Sequence, residues 1–266
     1  MKKLILLAFI ILFNLQLSKS QTIGILGAFG AEVALIHSRI QNPEEIVIQN
    51  IHFTRGILNG HPVVLAQTGM GKVNAAITTS LLLDHFKPSQ VLFTGIAGGV
   101  DPQLAPGDLV IGDKIAHHDY GTITPDSMQR RATQDPVTML PNPQYFLSAP
   151  KLVKLAQDVS SKLEFAKIGS GKHAPKIVTG TIVTGDVFVA STLATRQLWQ
   201  KMHAEATEME GAAVAQTCWQ QTVPFLVIRS LSDSASNNAH QDVASFYQTA
   251  AINSATLVMA IVGQIK

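Results

Sequence analysis

The chain has 266 residues, 46% hydrophobic and only 14% charged, a composition that supplies a large core and excludes a disordered polymer. A net charge of +2, no block of Lys or Arg and 6% aromatic content leave neither the basic footprint nor the stacking surface of a nucleic-acid binder. The single cysteine, Cys218, excludes an intrachain disulfide and a cysteine-based zinc site; on the apolar face of a predicted helix it reads as a buried, inert thiol.

At the N-terminus, Lys2 and Lys3 precede an unbroken apolar stretch from Leu4 to Phe13, after which "NLQLSKS" turns polar. This pattern, with small residues at Ser18 and Ser20, predicts a secretory signal peptide over residues 1–20, cut near Ser20 and Gln21. An uncleaved anchor or a buried N-terminal helix is the alternative. The apolar stretch is short for a bilayer span, no cysteine follows it to carry a lipid, and no second stretch is read as long enough to cross. The expected product is residues 21–266, a single domain, periplasmic or secreted and free of the membrane.

"TIGILGAFG" opens that product as a buried strand ending in a glycine loop, and "AEVALIHSRI" follows with helical spacing of Val33, Leu35, Ile36 and Ile40. Residues 46–69 read as strands joined by a tight turn at Asn59-Gly60. "KVNAAITTSLLLDHF" is a predicted helix stopped by Pro88, "QVLFTG" a buried strand, and "GDLVIGDKIAHH" another strand. The proline-rich segment 119–150 reads as a long loop. "KLVKLAQDVSSKLEF" has amphipathic spacing, "KIVTGTIVTGD" is strand-like, and "TRQLWQKM" and "EGAAVAQTCWQ" are helical. "PFLVIRSLSD" is a strand running into a loop, and residues 243–265 form a long closing helix. Alternating strands and helices predict an α/β fold, a central sheet covered on both faces, with ligands gathering where strands run out.

Three motifs are weighed there. Gly24, Gly27 and Gly30 are spaced G-x-x-G-x-x-G rather than as a dinucleotide fingerprint, and "TGMGKV" places Val73 where a phosphate-binding loop needs Ser or Thr. "AHHDY" offers His117 and His118, but neighbours on a strand point to opposite faces and no third ligand clusters with them, so no metal is expected. The carboxylates carry more: Glu32 follows the first glycine turn, Glu210 opens the alanine-rich helix, and Asp233 ends the last strand. Each suits a helix N-cap taken alone; three at strand ends, in a chain short of charge, point to a shared site.

"GILGAFGAEVALI", "TGMGKVNAAITTSLLLDHFKP", "TGIAGGVDPQLAPGDLVIGD", "IVTGDVFVA", "TEMEGAAVAQTC" and "PFLVIRSLSD" together resemble the purine nucleoside phosphorylase superfamily, most of all its 5'-methylthioadenosine/S-adenosylhomocysteine nucleosidase branch. The blocks span nearly all of residues 21–266. The resemblance implies a three-layer αβα sandwich with a central mixed sheet, a homodimer, and hydrolysis of the N-glycosidic bond of adenosine-type nucleosides, releasing adenine, without metal or cofactor. It implies that Glu32 holds the attacking water, Asp233 protonates N7 of the leaving adenine, and Glu210 accepts hydrogen bonds from the ribose hydroxyls. Met209 would pack on the sugar, Phe188 would stack on the base beside the Val189 backbone, and Ile96 and Ser232 would line the pocket. Arg229 would help place the Asp233 loop; Glu208, expected to point away, receives no role. The chain departs from the branch at Ile96, Phe29, Val243 and the loop from Asp119 to Asn142. Phosphorylases of the superfamily carry arginines in the two glycine loops where this chain has Phe29 and Phe93. The rival readings are a purine nucleoside phosphorylase and a nucleoside-binding protein of the envelope without turnover.

Overall fold

Runs that are apolar on both faces become the inner strands of one sheet. The computed structural model describes residues 21–125, 127–168 and 174–266; the signal peptide expected over residues 1–20 lies outside them. The elements are β1 (Ile23–Gly27), α1 (Gly30–His37), β2 (Gln41–Ile48), β3 (Ile51–Leu58), β4 (His61–Gln67), α2 (Lys72–Phe86), β5 (Gln90–Phe93), β6 (Ile96–Gly99), β7 (Leu109–His117), β8 (Gly121–Ile123), β9 (Met128–Arg130) and β10 (Phe146–Leu147), followed by α3 (Pro150–Ser160), β11 (Ile177–Thr184), α4 (Thr192–Met202), β12 (Ala204–Glu208), α5 (Gly211–Gln220), β13 (Phe225–Asp233) and α6 (Ala239–Val262).

Eleven strands form a mixed sheet in the order β10-β7-β11-β12-β6-β13-β5-β1-β4-β3-β2. Parallel pairs join β1 to β4 and β5, and β13 to β5 and β6, while β2, β3 and β4 form an antiparallel meander. Val227 to Ser230 of β13 also pair with Leu109 to Gly112 of β7, so β7, β11, β12, β6 and β13 close into a ring. Period-2 geometry divides each inner strand between two cores. Leu26, Val91, Phe93 and Val227 pack with α2 and α5 on one face; Ile25, Leu92, Leu226 and Ile228 pack with α1, α3 and α6 on the other. The result is the expected αβα layering.

Several boundaries differ from the sequence reading. α1 stops at His37, and β2 starts at Gln41, where an exposed edge strand tolerates Pro43. The segment 119–150 contains the β8–β9 hairpin and β10. Strands β6 and β12 escape a hydrophobicity reading because "IAGG" is small and "AEATE" carries two glutamates. α6 begins at Ala239, four residues before Val243. It is also long and apolar enough to cross a membrane, contrary to the expectation that no such stretch follows the leader. Here it is a core helix, with Ala255, Leu257, Val258, Ile261 and Val262 fully buried.

Candidate active site

A cavity of about 200 Å³ opens at the ends of β1, β5, β12 and β13, beside the first residues of β6, and the loops after β4 and β11 add Met70 and residues 187–189 to its lining. The structure brings together at its wall Glu32, Ile96, Phe188, Val189, Met209, Glu210, Ser232 and Asp233, with Phe29, Met70, Val243 and Glu208. Four carboxylates face this space, and among the described residues lining it there is no Lys, Arg or His.

Glu32 sits in the first turn of α1 and reaches back over the glycine loop. Its Oε2 accepts from the amides of Ala28 and, at 3.3 Å, Phe29, while Oε1 accepts from the Ile96 amide at 3.0 Å. Gly95 makes that approach possible, since a Cβ there would stand 2.8 Å from Glu32 Oε1 and 3.1 Å from Arg229 Cζ. Burial raises the Glu32 pKa above its usual 4.5, against the opposing Arg229 charge and the three amides.

Asp233 lines the same cavity, at the end of β13. Its Oδ2 accepts from the Ser232 hydroxyl at 2.8 Å and its Oδ1 from the Ala235 amide at 2.7 Å. Ala235 holds a left-handed φ of +47°, and its carbonyl accepts from the Thr195 hydroxyl at 2.6 Å and the Ser191 amide at 3.2 Å. These bonds tie the turn to α4. Burial raises the Asp233 pKa above 3.8, outweighing the bonds from Ser232 and Ala235.

The two glutamates of "TEMEG" divide the work. Glu208, expected to point away, instead faces inward: it accepts from Arg229 Nη2 at 2.7 Å, from the Thr184 hydroxyl, and from the amides of Glu210 and Gly211 at 3.1 and 2.7 Å. Glu208 thus satisfies the start of α5, which leaves Glu210 free of capping duty. Glu210 accepts from the Gly71 amide at 2.9 Å. Burial and then the Glu208 charge push its pKa from 4.5 up to about 8.

Arg229 departs from expectation too. Its guanidinium is 4.1 Å from the centre of the Phe93 ring and donates to the Ile228 carbonyl at 3.0 Å and to Glu208, so it anchors Glu208 rather than the Asp233 turn. The signal for this pair was an arginine inside an otherwise apolar strand, which demands a buried counter-charge.

A family model described as the phosphorylase superfamily matches residues 22–263. The chain belongs to the phosphorylase superfamily. Within it, the chain is 38% identical over 246 residues to the 5'-methylthioadenosine/S-adenosylhomocysteine nucleosidase of Tolumonas auensis, covering 91% of this chain and 99% of that one. Its fold is similar to the Neisseria meningitidis nucleosidase in complex with methylthio-immucillin-A, with a TM-score of 0.79, 34% identity and 92% and 100% of the two chains covered. It is similar also to the Colwellia psychrerythraea nucleosidase in complex with adenine, with a TM-score of 0.81, 35% identity and coverage of 93% and 97%.

Among the described residues no group of three His, Cys, Asp or Glu is placed to hold an ion. His117 meets Gln216 at 3.1 Å, whereas His118 lies against Gly185. Cys218 is fully buried, and burial pushes its thiol pKa up, away from reactivity.

Proposed function

We propose that this protein hydrolyses the N-glycosidic bond of adenosine-type nucleosides such as 5'-methylthioadenosine and S-adenosylhomocysteine, releasing adenine. The observation that carries the reading is the wall of four carboxylates with no cation among its described lining residues. Phosphorolysis needs several cations or amides to hold a doubly charged anion, and this wall supplies no cation to hold one. Arg229, the cation behind it, is already paired with Glu208.

In this reading water attacks the anomeric carbon as the bond to N9 breaks, and the bonding electrons leave with the base. Asp233 delivers its proton to N7, and Glu32 takes the proton released by the water. Burial favours the protonated acid at Asp233 and makes Glu32 a stronger base once ionised. The two groups flank the bond as the carboxylates of inverting glycosidases do. Glu210 accepts the ribose hydroxyls, which donate more strongly as the sugar becomes cationic. Met209 covers the sugar and Phe188, 44% exposed at the mouth, offers a face for the base.

Incubation of the purified mature protein with 5'-methylthioadenosine in phosphate-free buffer is expected to release adenine; a strict phosphate requirement rejects the reading in favour of a phosphorylase. Asp233→Asn should lower kcat by about 10²–10⁴ while retaining binding. Normal turnover in that variant removes Asp233 as the acid, and a wild type that binds without releasing adenine identifies a binding protein.

We further propose export and dimerisation. The basic and apolar start of residues 1–20 supports a leader, and the family match begins after it, at residue 22; the N-terminal sequence of protein from the cell envelope or medium checks the cut. Ile123, Val137 and Leu140 are 84%, 86% and 65% exposed, apolar side chains that burial against a second copy would cover. Sedimentation of the mature chain as a monomer would refute the dimer.

A further inference from the structure

Two motifs that the catalytic reading leaves unused meet beside the cavity. Lys72, from "TGMGKV", places its Nζ 2.7 Å from Asp119 Oδ1, in "AHHDY", and 3.6 Å from Asp186 Oδ2. The Asp186 amide donates to Asp119 Oδ2 at 2.7 Å, and the Lys72 amide donates to Asp186 Oδ1 at 2.8 Å. One ammonium therefore clasps three loops, those after β4, β7 and β11. The side chains of Lys72 and Asp119 are only 20% and 19% exposed, so solvent screens this pair less than a surface ion pair.

The clasp bears on Glu210 through the backbone. Gly71, with φ +91° and ψ 155°, aims two successive amides at two carboxylates: its own N–H at Glu210 and that of Lys72 at Asp186. Only glycine adopts that conformation without strain, and a Cβ there would stand 3.3 Å from Asp186 Oδ1. Nothing but the Gly71 amide donates to the Glu210 carboxylate among the described residues' hydrogen bonds. The orientation of Glu210 thus depends on a peptide whose next residue is held at both its amide and its ammonium.

We propose that Lys72 is a positioning residue for ribose recognition, its clasp on Asp119 and Asp186 holding the Gly71 amide where it presets Glu210 for the sugar hydroxyls. The inference rests on Glu210 as the ribose-binding carboxylate. Its signature is selectivity rather than bulk activity: loosening the clasp weakens the hydroxyl contact specifically, whereas any loss carried to the base through the loop from Asp186 to Phe188 falls on both substrates alike.

The test compares kcat/KM for 5'-methylthioadenosine with that for its 3'-deoxy counterpart, in the wild type, Lys72→Met, Lys72→Arg and Asp119→Asn. The wild type should favour the ribonucleoside. Lys72→Met and Asp119→Asn should each cut that preference about tenfold, chiefly through KM for the ribonucleoside, the loss expected of one misaligned buried hydrogen bond. Lys72→Arg, which keeps the charge, should restore most of it. A merely structural lysine would lower both substrates alike. Should Lys72→Met not fold, Asp119→Asn and Lys72→Arg carry the comparison. An unchanged preference in Lys72→Met or Asp119→Asn overturns the proposal and leaves Glu210 standing, whereas a wild type indifferent to the hydroxyl removes the Glu210 reading and the proposal with it.

Discussion

Glu208 and Glu210 stand two residues apart, and their partners separate them. Glu208 has a buried cation and three further donors, so its charge is committed to structure. Glu210 has one amide and a cavity. Removing the charge of Glu208 would strand Arg229, which is 1% exposed, without a counter-ion. Glu208→Gln should therefore destabilise the protein by about 3 kcal/mol, the cost of breaking a buried pair, with part recovered on adding Arg229→Met. Denaturant titration of the two singles and the double checks this; strictly additive losses would show that the residues do not act together. The sequence displays both glutamates equally plainly. What separates them is an arginine 21 positions later, a tertiary pairing that no local pattern reports.

At the scale of elements, strands buried on both faces were legible: "IGILG", "QVLF" and "FLVI" are runs that only an inner strand uses. The Asn59-Gly60 turn was legible too, because both residues adopt the positive φ that such turns require. Strand β12 was not, since its carboxylates look like surface until Thr181 and Arg229 are seen to bind them. Glu32, Glu210 and Asp233 were visible as acids at strand ends; the convergence needed the sheet order. The loop between β5 and β6 shows how tightly that convergence is built. Gly95→Ala would push a methyl group into Glu32 Oε1 and Arg229 Cζ. A displacement near 1 Å at a reacting group costs about 10²-fold in rate, so kcat should fall by about that factor, and the overpacking against buried Arg229 should lower the unfolding midpoint as well. Wild-type kcat in Gly95→Ala would show that the Glu32 position is not critical.

Across the whole molecule, the site carries a thermodynamic cost. Glu32, Glu210 and Asp233 all have pKa values raised by burial, so the folded state holds protons that the unfolded chain would release. Stability from such groups is complete below their unfolded values and is lost as pH rises through the folded ones. For Glu210 that window runs from 4.5 to about 8. Thermal unfolding should show Tm falling across it, and Glu210→Gln should flatten the fall; an equally steep decline in the variant would mean that other groups dominate. The ring of five strands sets the opposite balance in time. β13 is held on three sides, by β5, β6 and β7, and is buried at all nine residues, whereas β2 is an exposed edge. Amide deuteration should accordingly be slowest in β13 and fastest in β2, and comparable uptake in the two would contradict the closure. The strand that ends in Asp233, the proposed proton donor, is then among the last segments to open, so an unliganded chain can breathe at its far edge without disturbing the site.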